Sequence, residues 1–311
     1  MLDVIIVGAG PAGLTAALYA GRSKLKTKVF ESVSVGGQVL LTEKIENFPG
    51  VYGMKVADWL DECRKQLSEL EDVELSETVK VESIKTEKDF FKVSAISESH
   101  ESRQEYDAKS VILAVGAKPK KLDVKGEDKL TGRGVSYCAT CDGPLFKDKH
   151  VIVVGGGDTA IEEALYLRKI AKKVTIVHRR DALRAAAVLR EKVLADKKIE
   201  IKWDSVVSEI TGAVKVEAVR LKNVKTLQEE ILPCDGVFIF VGFLPNTDFL
   251  KDIIDLDEQG RIITDENMMS SYMGIFACGD CRVRPLHQVV TACSDGAIAA
   301  FSLNKFLENK I

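Results

Sequence analysis

One sequence pattern occurs twice in this 311-residue chain, and it constrains the fold more than any other feature. The first copy, DVIIVGAGPAGLTAALYAGRSKLKTKVFES, begins at Asp3, and the second, HVIVVGGGDTAIEEALYLRKIAKKVTIVHRR, begins at His150. The offset of 150 − 3 = 147 residues holds without a gap. It aligns the residues of the glycine-rich turns in pairs: Gly8 with Gly155, Gly10 with Gly157, and Gly13 with Ala160.

Each copy has the order strand, tight glycine turn, helix and second strand. The first strand is a continuous apolar run, as in a parallel sheet that is covered on both faces. In such a unit the first glycine makes the turn, the second lets the backbone approach a pyrophosphate, and the third position lets helix and strand pack closely. The pyrophosphate would then bind the free N–H groups at the helix start. One motif alone could be a simple strand–turn–helix, but two copies of equal length predict two dinucleotide-binding sites.

The two copies differ where the second strand ends, which is where an acid normally holds a ribose hydroxyl. The first copy has Glu31 there, and the second has His178, Arg179 and Arg180, with Arg184 close behind. An acid suits the free 2′-hydroxyl of FAD or NAD, whereas guanidinium groups suit the 2′-phosphate of NADPH. The alternative is that these basic residues are simply solvated at a strand end.

A second repeated sequence pattern marks where the chain leaves each nucleotide-binding unit. VILAVGAKP at 111–119 resembles VFIFVGFLP at 237–245, and each is a buried strand that ends in glycine and turns at proline. We therefore predict an α/β fold with two Rossmann-like dinucleotide-binding domains. Residues 117–243 would form an NADPH-binding domain inserted into a discontinuous FAD-binding domain of residues 1–116 and 244–311.

The C-terminal segment after residue 243 should return to the first domain. A short apolar strand at 275–278 ends in Gly279 and Asp280, and a helix is predicted from about Gln288 to Leu303. An acid at a strand end, just before a helix, can hold the ribityl chain of a flavin.

A cysteine pair lies between the two nucleotide patterns, in SYCATCDGPLF at 136–146. Cys138 and Cys141 are two residues apart, and Asp142 follows directly. The chain has seven cysteines with uneven spacing, which does not suit a disulfide-stapled secreted scaffold of this length. In a reducing compartment such a pair indicates redox chemistry or metal binding.

The bulk composition excludes some partners. The net charge is −3, from 44 basic and 47 acidic residues, so we expect neither nucleic acid nor a membrane surface as a partner. The opening MLDVIIVGAG has no basic segment, and its apolar run is too short for a signal peptide or a membrane span. We expect a cytoplasmic protein.

These motifs together resemble the low-molecular-weight, FAD-containing thioredoxin reductases of bacteria and archaea. The resemblance covers the whole chain and rests on GAGPAGLTAALYA, GGQ at 36–38, ENFPG at 46–50, CATCDG at 138–143, GGGDTAIEEALYL at 155–167, HRRD at 178–181, GFLPNT at 242–247 and GIFACGD at 274–280. CATCDG between two nucleotide motifs is the most specific of them.

The resemblance implies FAD, NADPH and a set of site residues. The FAD site would comprise Gly8, Gly10, Ala12, Gly13, Glu31, Gly37, Gln38, Asn47, Asp280 and Gln288. The NADPH site would comprise Gly155, Gly157, Asp158, Thr159, His178, Arg179, Arg180 and Arg184. The chain departs from many relatives at four positions: Val115, Pro144, Leu145 and His287.

The resemblance also implies a route for electrons, from NADPH through FAD to a Cys138–Cys141 disulfide and on to thioredoxin. Cys141 would face the flavin, Cys138 would attack the disulfide of the partner, and Asp142 would relay the proton. A homodimer is the usual assembly of the family. Because disulfide and nicotinamide must both reach one flavin, the inserted domain is expected to rotate on links that contain Gly116 and Gly242.

Two alternatives remain open from the sequence. One is a flavin disulfide reductase that serves a glutaredoxin-like or peroxiredoxin partner, with NADH use possible. The other is a non-catalytic zinc protein that uses Cys138 and Cys141 together with a second pair, Cys278 and Cys281. The separation of 278 − 138 = 140 residues does not suit the usual spacing of zinc ligands, so we predict no metal.

Overall fold

The computed structural model describes residues 1–41, 44–45, 47–51, 53–97 and 102–309, apart from the side chains of Leu41, Thr140 and Cys141. Its strands are β1 (Leu2–Val7), β2 (Thr27–Phe30), β3 (Lys44–Ile45), β4 (Met54–Lys55), β5 (Val73–Ser76), β6 (Val79–Thr86), β7 (Phe91–Ser97), β8 (Ser102–Leu113), β9 (Ala117–Pro119), β10 (Val135–Ser136), β11 (His150–Gly155), β12 (Lys173–Val177), β13 (Ile199–Lys202), β14 (Ser205–Thr211), β15 (Ala218–Asn223), β16 (Glu229–Pro233), β17 (Gly236–Phe240), β18 (Phe243–Pro245) and β19 (Ile275–Ala277).

Its α-helices are α1 (Pro11–Arg22), α2 (Val56–Ser68), α3 (Glu127–Leu130), α4 (Ala139–Asp142), α5 (Asp158–Leu167), α6 (Ala187–Leu194) and α7 (Val289–Glu308). Among the described residues, none of these helices is both long and apolar enough to cross a lipid bilayer. The elements divide into two compact units, the first with residues Met1–Lys118 and Leu244–Ile311 and the second with Pro119–Phe243.

The first unit is built on one mixed sheet with the order β5-β2-β1-β8-β7-β6, and β19 also pairs with β8. The strands that carry the glycine turn are parallel: β1 pairs with β2 and with β8, and β8 with β19. Helices α1 and α7 pack on one face through a core that includes Ile6, Ala16 and Leu303. The opposite face covers a second core with Ile5, Val93 and Ile262. Because both faces are covered, β1 is apolar from Val4 to Val7, as the sequence indicates.

The second unit repeats this plan around a parallel sheet of order β10-β17-β11-β12-β13. Helix α5 packs on one face, where Ile161 and Leu167 join a core with Val153. The antiparallel strands β14, β15 and β16 form a separate small sheet, whose Val219 and Leu221 share a core with Ile152 and Ile239. The predicted α/β class with two Rossmann-like folds is confirmed.

The last helix is longer than the sequence analysis predicted. Helix α7 runs from Val289 to Glu308 instead of ending near Leu303, because Leu303 and Leu307 both pack into the core of the first unit. Its start is fixed by a capping box, in which Gln288 and Thr291 satisfy each other's backbone groups. Gly296 lets α7 approach α1, since a Cβ there would lie 2.2 Å from the Ala12 carbonyl oxygen. Gln288 therefore has a fixed place at the start of this helix.

Candidate active site

The glycine turn of the first unit joins β1 to α1 with almost no space to spare. A Cβ on Gly13 would lie 1.9 Å from the Gly8 carbonyl oxygen, and one on Gly8 would lie 2.3 Å from the Ala114 carbonyl oxygen. Gly10 caps α1 without a side chain, and buried Ala12 lies in the first turn. This arrangement leaves the start of α1 open to an anion, as a pyrophosphate-binding turn requires.

Glu31 lies at the end of β2, as the motif predicts, and its carboxylate holds the turn. Oε2 accepts a hydrogen bond from the Ala9 N–H at 2.8 Å, and Oε1 accepts one from the Val33 N–H at 3.0 Å. The side chain is 8% exposed. A carboxylate fixed in this way beside the turn can accept hydrogen bonds from ribose hydroxyl groups.

Gln38 Oε1 and Asp280 Oδ1 are among the buried polar atoms of the first unit that have no hydrogen-bond partner among the residues that the structure describes. Burial raises the pKa of Asp280. Buried polar atoms are nearly always hydrogen-bonded, so these two fit a site that a polar ligand completes. Gly37, beside Gln38, lies against Gly10, because its Cβ would be 3.4 Å from the Gly10 Cα.

Asn47 and Gln288 come together from distant parts of the chain, since Asn47 Nδ2 donates to Gln288 Oε1 at 2.8 Å. Gln288 is the residue before α7, so Asn47 is tied to the start of that helix. The open glycine turn suits the phosphates of FAD, and the fixed carboxylate of Glu31 suits a ribose. The unpaired polar atoms of Gln38 and Asp280 suit the flavin part. The residues present therefore fit FAD.

The glycine turn of the second unit joins β11 to α5. A Cβ on Gly155 would lie 2.3 Å from the Phe240 carbonyl oxygen and 2.6 Å from the Cβ of Ala160. Gly157 caps α5 and faces open space, and the next two residues, Asp158 and Thr159, are exposed. Asp158 Oδ1 accepts a hydrogen bond from the Ala186 N–H at 2.7 Å, which ties the helix start to the chain beyond β12.

The basic residues after β12 divide into one buried and three exposed side chains. His178 is 4% exposed, and its Nε2 lies 3.1 Å from the Ala182 carbonyl oxygen. Burial lowers the pKa of His178, and the neighbouring arginines lower it further. His178 thus shapes the loop, while Arg179, Arg180 and Arg184 are exposed and free to meet a phosphate.

Cys138 lies between β10 and α4 and is 8% exposed. It is disulfide-bonded. The side chain of its predicted partner, Cys141, lies outside the described residues. Ser136 Oγ accepts a hydrogen bond from the Cys138 N–H at 3.0 Å and donates one to its carbonyl oxygen at 3.1 Å. Asp142 is half-buried at the end of α4, and its N–H donates to the same carbonyl at 3.2 Å.

Sequence reasoning missed a carboxylate that anchors this segment. Glu127 is 1% exposed and accepts hydrogen bonds from the Tyr137 hydroxyl at 2.7 Å and from the Leu122 N–H at 2.9 Å. Burial and this carboxylate raise the pKa of Tyr137. Tyr137 precedes Cys138, so Glu127 fixes the approach to the cysteine. EDKL at 127–130 gives no sign of burial, because a short, mostly charged segment has no apolar period.

Glu163 is a second carboxyl group that the sequence did not single out. It lies on α5, and its Oε2 is buried without a hydrogen-bond partner among the described residues. Burial raises its pKa to about 7, with Glu162 adding to the effect. Helix α4 packs against α5, and Ala139 shares a core with Ala160 and Ala164 of that helix. Glu163 is therefore a carboxyl group with a raised pKa on the helix that packs against the cysteine segment.

The second cysteine pair is buried in the first unit. Cys278 and Cys281 are both free and 0% exposed, and Cys281 Sγ donates to the Cys278 carbonyl oxygen at 3.3 Å. Burial raises the pKa of both thiols. Within the described part of the chain, no group of three or more His, Cys, Asp or Glu residues could hold a metal ion. The pair behaves as two small apolar side chains.

Two dinucleotide-binding turns and a cysteine held in a disulfide define a nucleotide-dependent disulfide oxidoreductase. The family model for pyridine nucleotide-disulphide oxidoreductases matches residues 2–296. A thioredoxin reductase of Peptoclostridium acidaminophilum is 46% identical, over 98% of this chain and 97% of its own. The solved thioredoxin reductase of Lactococcus lactis has a TM-score of 0.93 at 42% identity, over 99% of this chain and 100% of its own. That of T. acidophilum has a TM-score of 0.89 at 34% identity, over 98% of both chains.

The chain therefore belongs to the pyridine nucleotide-disulphide oxidoreductase family and, within it, to the thioredoxin reductases. The resemblance drawn from the sequence motifs is confirmed. The protein is an oxidoreductase of a family that uses FAD and NADPH.

Glu163 makes stability depend on pH in a direction that can be measured. Its pKa rises from 4.5 in the unfolded chain to about 7, so folding disfavours the carboxylate. The cost is absent below the unfolded pKa, grows as pH rises, and is complete above the folded pKa. We expect Glu163→Gln to be more stable than the parent at about pH 8, by roughly 2–3 kcal/mol, and to lose that advantage at about pH 4.

Thermal melts of apo-protein at the two pH values measure this difference. Glu191→Gln, at an exposed position of α6, is the matched control and should show no pH-dependent gain. A Glu163→Gln advantage of equal size at both pH values would contradict the assignment.

Proposed function

We propose that this protein is an NADPH-dependent thioredoxin reductase that works through a Cys138–Cys141 disulfide. The observation that carries the proposal is that Cys138 is disulfide-bonded. Cys138 lies shortly before Asp142 in the sequence and belongs to the same unit as the glycine turn at Gly155. The relatives named thioredoxin reductase match over nearly the whole chain, which supports thioredoxin as the partner. FAD, when bound, accepts a hydride from NADPH and delivers two electrons to a disulfide.

Thiol exchange by the chain's own residues then proceeds by standard chemistry. In the reduced form, the Cys138 thiolate attacks one sulfur of the thioredoxin disulfide, which forms a mixed disulfide and frees the other sulfur as a thiolate. Asp142 supplies the proton to that leaving sulfur. The Cys141 thiolate then attacks the Cys138 sulfur, which re-forms the internal disulfide and releases the second thioredoxin sulfur as a thiolate. That thiolate takes a proton from solvent, so thioredoxin ends as a dithiol.

The exposed arginines of the second unit support NADPH as the donor. Arg179 and Arg180 come directly after His178 at the end of β12, where the first unit has an acid that would repel a 2′-phosphate. The backbone N–H of Arg184 donates to the Gly156 carbonyl oxygen at 2.8 Å. That hydrogen bond holds Arg184 beside the glycine turn. Three guanidinium groups near one turn suit a phosphate better than a hydroxyl.

Replacing Cys138 tests the route through the disulfide. We expect Cys138→Ser to lower thioredoxin turnover by at least about a thousandfold, because Cys141 alone cannot cycle between a dithiol and an internal disulfide, while NADPH still bleaches the flavin absorbance. Cys234→Ala removes a free, buried cysteine of the same unit and is the matched control, with turnover close to that of the parent. Normal turnover by Cys138→Ser would contradict the proposal.

Replacing the two arginines after β12 tests the nucleotide preference. In the double variant Arg179→Ala and Arg180→Ala, we expect KM for NADPH to rise at least about tenfold and KM for NADH to stay unchanged, since each charge-assisted phosphate contact is worth about 1.5–3 kcal/mol. Arg190→Ala, an exposed arginine on α6, should leave both values unchanged. Equal losses with both nucleotides would refute a 2′-phosphate site.

We also propose a homodimer in the cytoplasm. Helices α1 and α7 pack together and expose apolar side chains, with Tyr19 46% and Phe301 55% exposed. Five described cysteines are free, which suits a reducing compartment.

Sedimentation equilibrium should give a mass near twice 34.1 kDa, and Phe301→Glu should shift the mass toward that of one chain, because a buried unpaired charge is costly at an interface. A parent protein that sediments as a single chain would contradict the dimer.

A further inference from the structure

A buried cluster of charged side chains lies beside the turn that follows β19 and carries Asp280. It comprises Arg282, Arg284 and Asp295, whose side chains are 13%, 6% and 6% exposed. Both arginines approach the same oxygen, Asp295 Oδ2, at 3.3 and 2.9 Å. The Gly279 N–H also donates to this oxygen, at 3.2 Å. One carboxylate on α7 thus holds both arginines and the turn before Asp280.

The two arginines differ in their other contacts. Arg282 has a second partner in the protein, since its Nε donates to Thr264 Oγ1 at 2.8 Å. Arg284 Nε and Nη1 are buried and make no hydrogen bond among the described residues, and the approach of Nη1 to Asp295 is an ion pair without hydrogen-bond geometry. A buried charged donor left unsatisfied costs more than a neutral one, so Arg284 needs an explanation that Arg282 does not.

The charges of this cluster do not balance. Arg282 and Arg284 carry two positive charges against the single negative charge of Asp295. Asp280, close by along the chain, is itself buried, which raises its pKa, and burial lowers the pKa of His287. A buried, uncompensated positive charge is unfavourable unless an electron-rich group meets it.

The position of the cluster indicates which electron-rich group would meet this positive charge. Gly279, which shares Asp295 with Arg284, lies against the first turn of α1, since a Cβ on Gly279 would be 2.8 Å from the Ala12 Cβ. The orphaned Asp280 Oδ1 is one residue further on. Arg284 therefore belongs to the region in which Asp280 and the Gly8–Gly13 turn fit FAD, and it lies outside the set of FAD residues that the motifs predict.

We propose that Arg284 is a FAD-binding residue whose unpaired guanidinium N–H groups donate to an electron-rich group of the cofactor, with Asp295 holding the guanidinium in place. The inference rests on the proposed function only in taking FAD as the cofactor. It assigns to this chain a cationic contact in the segment between β19 and α7, at a position that none of the quoted motifs covers.

Binding of FAD to apo-protein tests the proposal without any turnover. Flavin fluorescence quenching gives the dissociation constant for the parent and for Arg284→Gln, Arg284→Lys and Arg282→Gln. We expect Arg284→Gln to weaken FAD binding by about tenfold or more, since it removes a charge-assisted contact. Arg284→Lys keeps the charge without the fork and should lie between the two.

Arg282→Gln is the matched control, because it loses the same ion pair with Asp295 but not the orphaned N–H groups. It should bind FAD within about threefold of the parent, although both Gln variants lose one ion pair and should melt at a similar, lower temperature than the parent. Circular dichroism and thermal melts of the four apo-proteins show whether each is folded.

Three results would overturn the proposal. The first is an Arg284→Gln protein that binds FAD as the parent does, and the second is an equal loss in both Gln variants, which would mean that the arginines only support the fold. The third is an Arg284→Gln apo-protein that is unfolded while Arg282→Gln is folded, since Arg284 would then act on stability. Failure of the parent to bind FAD would instead refute the cofactor assignment, and this inference with it.

Discussion

The structure depends on how closely a helix can approach the strand before it. In the first unit this contact is between Gly13 and the Gly8 carbonyl oxygen, where a Cβ would lie at 1.9 Å. In the second unit Ala160 takes the corresponding place, and its methyl group lies against Gly155, where there is no side chain. Both solutions bring the helix start beside the strand end. The free N–H groups of the helix then face the same space as the residues just beyond the strand.

The two copies of the turn differ in the side chains that come after their second strands. In the first copy, Glu31 is buried and bonded to the Ala9 and Val33 N–H groups, so a negative charge is fixed beside the turn. In the second, His178 is buried, and the charged groups beside it are the exposed Arg179 and Arg180. One backbone plan thus presents opposite charges, and charge is the property that distinguishes a phosphate from a ribose hydroxyl.

The sequence predicted the features that repeat and missed those that depend on distant contacts. Apolar runs and glycine spacing are local, so strands β1 and β11 and both turns could be read directly. Glu127 and Arg284 could not, because each lies in a short polar segment whose composition indicates a surface. Their burial comes from partners elsewhere in the chain, Tyr137 and Asp295, and no periodic pattern records such a pairing. The predicted helix near Gln288 also ended too early, since packing of Leu307 extends it.

In each of the two units, buried polar groups follow the carboxyl ends of parallel strands. Glu31 comes after β2, Asp280 after β19, Cys138 after β10 and His178 after β12. Parallel strands all end at one edge of a sheet, so every βα unit adds its next side chain to the same edge. Burying carboxylates and imidazoles lowers stability, and burial of the apolar strands behind them offsets that loss. A sheet that is covered on both faces and open at one edge can therefore be stable and still hold ionisable groups where a dinucleotide or a disulfide needs them.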